Sequence, residues 1–341
     1  LENQLNLTPK HTGILLNLGV AQARLQKYEA AIKNYQQVLE AEPENLVALD
    51  GVTSALSGLE RYDEATHFGR RVLELKDQRS KSLKSISFQM PDSSPHEYAK
   101  LPGKHNVISF SLWGNHPAYL RGALRNLLLA ADMYPGWTLR FNLDRSVPED
   151  FINLIGELKS EIVIHSSDDT IRQKLGWRFQ VVNDPTVGYF LIRDADSVFS
   201  IREVLAVQAW LNSEKWFHVM RDWWTHTDLI LAGMWGGVAG ILPDLSDALI
   251  KYQSGKVETP NIDQWFLRDQ VWPYIRQACL VHDRCFSPEG AESFPGSAPL
   301  NGFHIGQDEY AARFASQERL LRPWIDAYPC LGKLQPTTAS T

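Results

Sequence analysis

The first hundred residues contain no tryptophan, although the chain holds eleven, all at or beyond Trp113. Cysteine is scarce throughout, with Cys279, Cys285 and Cys330 the three in 341 residues. Three dispersed thiols cannot build a disulfide scaffold, so a reducing, cytoplasmic setting is expected. No stretch approaches the roughly 18 consecutive apolar residues of a membrane span, so no membrane-crossing helix is expected. Positive charge is not in excess: 34 Lys and Arg against 40 Asp and Glu leave a net charge of −6. That balance argues against a general nucleic-acid coat. No basic segment followed by an apolar stretch opens the chain, so no secretion signal is expected.

What is present suits packed cores, with 44% hydrophobic and 22% charged residues. The length fits about two domains of roughly 150 residues each. The tryptophan distribution places a boundary near residue 100. Before it, the sequence repeats: Leu25, Tyr28, Ala31, Val38, Leu39 and Glu40 recur 34 residues later as Leu59, Tyr62, Ala65, Val72, Leu73 and Glu74. A period of 34 is that of the tetratricopeptide helix pair. Leu18-Gly19, Tyr28, Ala31, Tyr35 and Pro43 sit where that pattern wants them, whereas the second repeat has Thr53 for the glycine and Gly69 for the aromatic. Residues 1–10 read as the end of a repeat whose beginning is missing, which suggests that the repeats end a longer array or dock on the second domain. The expected organisation is a tetratricopeptide module at 1–78, a Ser-, Lys- and Pro-containing linker at 79–104, a second domain at 105–332 and a flexible tail at 333–341.

The second domain alternates in type. Strands are expected at Asn106–Trp113, Trp137–Leu143, Glu161–His165 and Gly188–Arg193, and helices at Pro117–Met133, Pro148–Lys159 and Thr170–Phe179. Alternation of this kind predicts a mostly parallel, Rossmann-like sheet covered by helices. Such sheets bind ligands at the carboxyl ends of their strands. Trp113-Gly114, Asp144 and Asp194-Ala195-Asp196-Ser197 are the residues at those ends. Two carboxylates at a strand tip suit a hard divalent cation, Mn²⁺ or Mg²⁺. The other reading of the Asp-x-Asp triplet is two solvated loop acids.

Several stretches, in order, resemble the GT-A-type nucleotide-sugar glycosyltransferases, in particular a bacterial and viral glycosyltransferase-like branch. They are Ser109–Gly114, Tyr134–Trp137, Trp177-Arg178-Phe179, Arg193–Ser197, Phe217–Asp222, Gly233–Gly236, Asp263-Gln264 and His282-Asp283. Two elements depart from the branch: Arg221-Asp222 is followed by Trp223-Trp224 rather than His-Pro, and Ser293-Phe294-Pro295 is a degraded Pro-Phe-Pro. The resemblance implies a GT-A-like α/β fold and a metal-dependent transfer of sugar from a nucleotide-diphosphate-sugar. Ser111, Leu112, Trp113, Gly114 and Asp144 would hold the nucleoside. Arg178 and Arg193 would face phosphate, Gly236 the donor sugar, and Asp194, Arg221 and Gln264 would bind the nucleotide-sugar. Asp194 and Asp196 would bind the metal, with His304, or alternatively His282, as a third ligand. Asp263 or Asp222 would be the general base. Arg202 and Glu203 read as a structural pair, and Asp263 reads equally as a helix cap. The acceptor would be a protein, a glycan or a lipid-linked glycan, with the repeats holding it or a protein partner. The alternatives are a repeat scaffold with a non-catalytic nucleotide-sugar-binding domain, and a nucleotide-diphosphate-sugar hydrolase.

Overall fold

The computed structural model describes residues 11–83, 90–253, 261–297, 303–307 and 319–332. The expected repeat fragment at 1–10 and the tail at 333–341 lie outside them. Among the described residues no helix is long and apolar enough to cross a membrane. The chain forms two compact units.

The first unit contains four helices, α1 (Thr12–Arg24), α2 (Tyr28–Ala41), α3 (Leu46–Gly58) and α4 (Tyr62–Ser80). The 34-residue period is visible in their ends. His11 and Asn45 both cap a helix, accepting from the backbone N–H of Ile14 and Ala48. Gln26 and Glu60 both take φ 58° to leave α1 and α3. The amides of Lys27 and Arg61 then reach back to the carbonyls of Gln22 and Leu56, both at 2.9 Å, which satisfies exposed helix-end acceptors. Ala31 and Ala65 are fully buried between helices, and the ring of Tyr35 lies over Gly19, where a Cβ would come within 2.6 Å of it.

Two later stretches, Arg221–Leu229 and Val281–Ser293, belong to this same unit. The expected domain boundary near residue 100 does not separate them from the repeats, because α4 binds both. Thr66 Oγ1 donates to the Cys285 carbonyl (2.9 Å) and Arg70 Nε to that of Phe286 (2.7 Å). Lys76, 4% exposed, bonds the Thr227 carbonyl and pairs with Asp228, both at 2.9 Å. Tyr62 stacks on Trp224 with ring centroids 4.0 Å apart.

The second unit is built on strands β1 (His105–Leu112), β2 (Trp137–Leu143), β3 (Glu161–Ile164), β4 (Val187–Arg193), β5 (Phe217–Arg221) and β6 (Met234–Val238). With β7 (Cys279–Asp283) and β8 (Ala291–Glu292), the eight-stranded order is β3-β2-β1-β4-β6-β5-β7-β8. The sheet is mostly parallel: β3, β2, β1 and β4 pair in parallel, and β6 runs antiparallel to β4 and β5. All seven residues of β4 are buried, as a central strand covered on both faces requires. The covering helices include α6 (Pro117–Met133), α7 (Glu149–Glu157), α8 (Ile171–Gly176), α9 (Ile201–Leu211) and α10 (Leu245–Lys251). Pro117 and Trp137 begin their elements where the sequence predicts.

Three expectations shift. The stretch 79–104 is not all linker: α4 runs to Ser80, and Pro95–Ala99 forms a short helix, α5, started by a Ser94–Glu97 capping box. The helix expected over Thr170–Phe179 stops at Gly176 and tightens into a 3-10 turn, Trp177–Asn183. The helix that Asp263 is expected to cap begins at Ile262, widens into a π turn at Leu267–Val271 and resumes at Trp272–Ile275.

Candidate functional site

Parallel pairing of β1, β2 and β4 brings their carboxyl ends to one edge of the sheet. Trp113-Gly114, Asp144 and Asp194–Ser197 follow those ends, as the alternation predicts. Gly114 turns with φ +74° and donates its amide to Ser146 Oγ (2.7 Å). Ser146 in turn donates its own amide and hydroxyl to Asp144 Oδ1. Asp144 is fully buried, and Lys174 Nζ closes on its Oδ2 at 2.6 Å. Burial opposes ionisation of Asp144, but Lys174 and Ser146 overrule it and hold the carboxyl below its ordinary value.

Trp113 meets Trp177 edge to face, with centroids 6.3 Å apart, and His165 stacks on Trp177 at 4.6 Å. Burial lowers the His165 pKa, so the ring favours its neutral form. Lys174, His165 and Ser146 were not among the expected site residues. Their role depends on partners in other elements: Lys174 by itself reads as an ordinary helix lysine.

The Asp194–Ser197 turn is held from below by α6. A Cβ on Gly122 would collide with the Ala195 carbonyl. Asn126 donates to the Ser197 carbonyl (2.8 Å) and accepts from the Phe199 amide (3.0 Å). Ser197 Oγ donates to the Gly306 carbonyl (3.0 Å), so the segment carrying His304 is tied to this turn. His304 Nδ1 lies 3.0 Å from the Ile305 carbonyl. Gly233 abuts the Asp194 carboxylate so closely that a Cβ would collide with it. Gly236, by contrast, lies within β6, where a Cβ would come within 2.6 Å of the Phe190 carbonyl.

Arg178 joins the strand tips. Its amide donates to Ser111 Oγ (3.0 Å), at the end of β1 beside buried Leu112. Its guanidinium bonds Asp194 Oδ1 through Nη1 and Asp263 Oδ2 through Nη2, the latter at 2.9 Å. The Arg178 and Asp263 side chains are 5% and 3% exposed, and that of Asp194 is 46% exposed. Asp263 is not the helix cap: that position is Asn261, and Asp263 Oδ1 accepts from the neighbouring Gln264 amide (2.9 Å). Burial, the leading cause, raises the Asp263 pKa against the pull of Arg178.

Arg193 turns inward. It pairs with Glu203 at 2.6 Å and bonds the carbonyls of Ile192 and Trp235. Glu203, expected to pair with Arg202, pairs with Arg193 and accepts from the Tyr134 hydroxyl (3.0 Å), while Arg202 bonds the Ser297 carbonyl. Arg221, Asp222 and His282 belong to the first unit. There Arg221 pairs with Asp283 at 2.7 Å and buried Asp222 with Arg284 at 2.8 Å, and His282 is buried in β7. Among the described residues, no three of His, Cys, Asp and Glu converge as a metal site.

A tetratricopeptide repeat family matches residues 13–45. No curated protein matches the chain. Solved structures with distant similarity include a mutant O-GlcNAc transferase from Thermobaculum terrenum, at 12% identity and TM-score 0.25, covering 55% of this chain and 40% of that one. A 4-diphosphocytidyl-2C-methyl-D-erythritol synthase from Anaerococcus prevotii is 10% identical with TM-score 0.36, covering 64% of this chain and 97% of that one. A mannosyltransferase from S. cerevisiae in complex with GDP is 12% identical with TM-score 0.23, covering 45% of this chain and 50% of that one. The chain therefore spans 40% and 50% of the two transferases' lengths. Likeness this distant identifies neither an activity nor a substrate.

Proposed function

We propose that the second unit is a GT-A-like glycosyltransferase that takes a nucleotide-diphosphate-sugar, and that the repeats engage a protein partner or the acceptor. One observation carries the reading. A buried arginine bridges Asp194, at the carboxyl end of a central parallel strand, and Asp263, at the edge where open α/β sheets hold their ligands. The resemblance of Ser109–Gly114, Trp177–Phe179 and Arg193–Ser197 to that family points the same way.

In this reading Trp113 lies against the base, and the buried Asp144–Lys174 pair braces the strand ends that hold it. Arg178 presents a planar fork of N–H donors that matches phosphate oxygens. Asp194 and Asp196 supply carboxylate oxygens, the chemistry Mg²⁺ or Mn²⁺ prefers, with His304 on the segment tied to Ser197. Such an ion would take its first oxygen from the half-exposed Asp194. The bound ion would neutralise charge on the departing diphosphate. Asp263 is the favoured base, since burial shifts its carboxyl toward proton acceptance.

The test is binding of a panel of nucleotide-diphosphate-sugars in the presence of Mn²⁺, with transfer then assayed on the ones that bind. Asp196→Ala should keep the fold and lose Mn²⁺-dependent donor binding. Unchanged donor affinity in that variant overturns the assignment, and turnover without any acceptor would favour a hydrolase.

A further inference from the structure

Arg178 already occupies the position of a cation among the strand-tip acids. Its two terminal nitrogens are divided between Asp194 and Asp263, and Nη1 also reaches the Arg193 carbonyl at 3.3 Å. Its backbone amide is fixed to Ser111, so the side chain swings from an anchored root. Of the three charged side chains, only Asp194 is substantially exposed, so a cation arriving from solvent meets that carboxylate first. It meets it with one oxygen bonded to a guanidinium and the carboxylate packed on Gly233.

We infer that Arg178 is a built-in competitor of the divalent cation at Asp194, and that a diphosphate relieves the competition by taking over the guanidinium. The inference rests on the proposed donor reading, because it assigns the relieving role to that donor's diphosphate. A guanidinium and a divalent ion on one carboxylate repel each other. Phosphate oxygens are equally good bidentate acceptors for arginine. Once the guanidinium turns to phosphate, Asp194 regains the full charge that an ion seeks. Ion and diphosphate then bind better together than apart, and by linkage each strengthens the other by the same factor. Asp263 holds the opposite arm of the fork and keeps part of the guanidinium away from Asp194.

The experiment measures binding rather than turnover. Free Mn²⁺ is followed by electron paramagnetic resonance as the ion alone is titrated into the full chain. Arg178→Gln should bind Mn²⁺ at least about tenfold more tightly than wild type, as removal of a like charge beside the ion requires. Unchanged or weaker binding by Arg178→Gln overturns the competition. Should Arg178→Gln fail to fold, Arg178→Met decides: tighter Mn²⁺ binding supports the competition, and unchanged or weaker binding overturns it. In a separate arm, inorganic pyrophosphate is titrated without metal, and its affinity should fall in Arg178→Gln. Wild type that does not bind pyrophosphate overturns the relieving role and the donor reading with it, while the Mn²⁺ arm still decides the competition at Asp194.

Discussion

The two repeats share a frame and differ at one filled space. Both start from a side-chain cap, His11 and Asn45, and both turn through a left-handed residue, Gln26 and Glu60. Both bury an alanine between their helices. In the first repeat Tyr35, 2% exposed, packs over Gly19. The corresponding residue of the second repeat is Gly69, and the ring against it is Phe286, from a distant part of the chain. Where the repeat gives up its own aromatic, the chain supplies another. A departure from a repeat pattern can therefore mark where a distant segment docks, rather than where the repeat is failing.

The largest test of that contrast puts the missing aromatic back. A Cβ at Gly69 already collides with the Phe286 ring, so Gly69→Tyr should expel it. Overpacking together with the lost burial of Phe286 should cost about 3 kcal/mol or more in urea unfolding. Phe286→Ala added to that variant should restore part of the loss, since the new ring then has room. A Gly69→Tyr protein within about 1 kcal/mol of wild type would show that the site is slack, and the contrast between the repeats would lose its basis.

Next comes Lys76, which corresponds to an exposed polar position in the first repeat, Glu42. Lys76 pairs with Asp50 at 3.2 Å and with Asp228 at 2.9 Å. Lys76→Met leaves both carboxylates without this cation and should cost about 3–5 kcal/mol. Burial pushes the Lys76 pKa down, but Asp228 and Asp50 outweigh it and raise the pKa above the usual 10.5. The stabilisation is therefore fully present below that usual value and is lost as pH climbs through the raised one. A urea midpoint in wild type that falls more steeply than in Lys76→Met above pH 10.5 checks it.

The same contrast shows what was legible before the fold was known. The 34-residue period, the strand ends and the acids placed there can be read because each depends on neighbours close in the chain. Trp113-Gly114, Asp144 and Asp194–Asp196 fall into that class. The partners of those residues could not be read. Lys174 lies 30 positions from Asp144, and Asp263 lies 85 from Arg178. Arg193 looks like a phosphate ligand in sequence, and only the position of Glu203 shows that its guanidinium is turned into the core. Tryptophan counting put a boundary near residue 100, yet Trp223 and Trp224 pack with the repeats, because their partner Tyr62 lies on α4.

A smaller effect belongs to Thr66. Its hydroxyl accepts from the Trp224 indole N–H (3.1 Å) while donating to the Cys285 carbonyl (2.9 Å). Thr66→Val keeps the shape and removes both bonds. The cost should be about 1–3 kcal/mol, most of it from the polar groups left without this partner. Thr66→Ser should recover the greater part. A valine variant as stable as wild type would mean that the stacked rings alone hold the 221–229 segment, and that the hydroxyl only follows them.

The smallest effect is expected where the second repeat carries its most visible ion pair. Arg61, at the turn into α4, grips Glu64 through Nε at 2.6 Å and Nη2 at 2.7 Å, and reaches Glu29 at 3.4 Å. The first repeat has Lys27 in the same place. The geometry at Arg61 is bidentate, yet the arginine and Glu64 side chains are 40% and 53% exposed. Water and salt screen such a pair, and holding two long side chains in one arrangement costs rotamer entropy. Arg61→Ala should therefore leave the urea midpoint where it was, at low and at high salt. Lys76→Met, further along the same α4, should not. If Arg61→Ala shifted the midpoint as far as Thr66→Val, burial would not be what separates the weak pairs of this unit from the strong one. The docking of the 221–229 segment would then have to be sought in the net charge of α4 rather than in the single buried lysine.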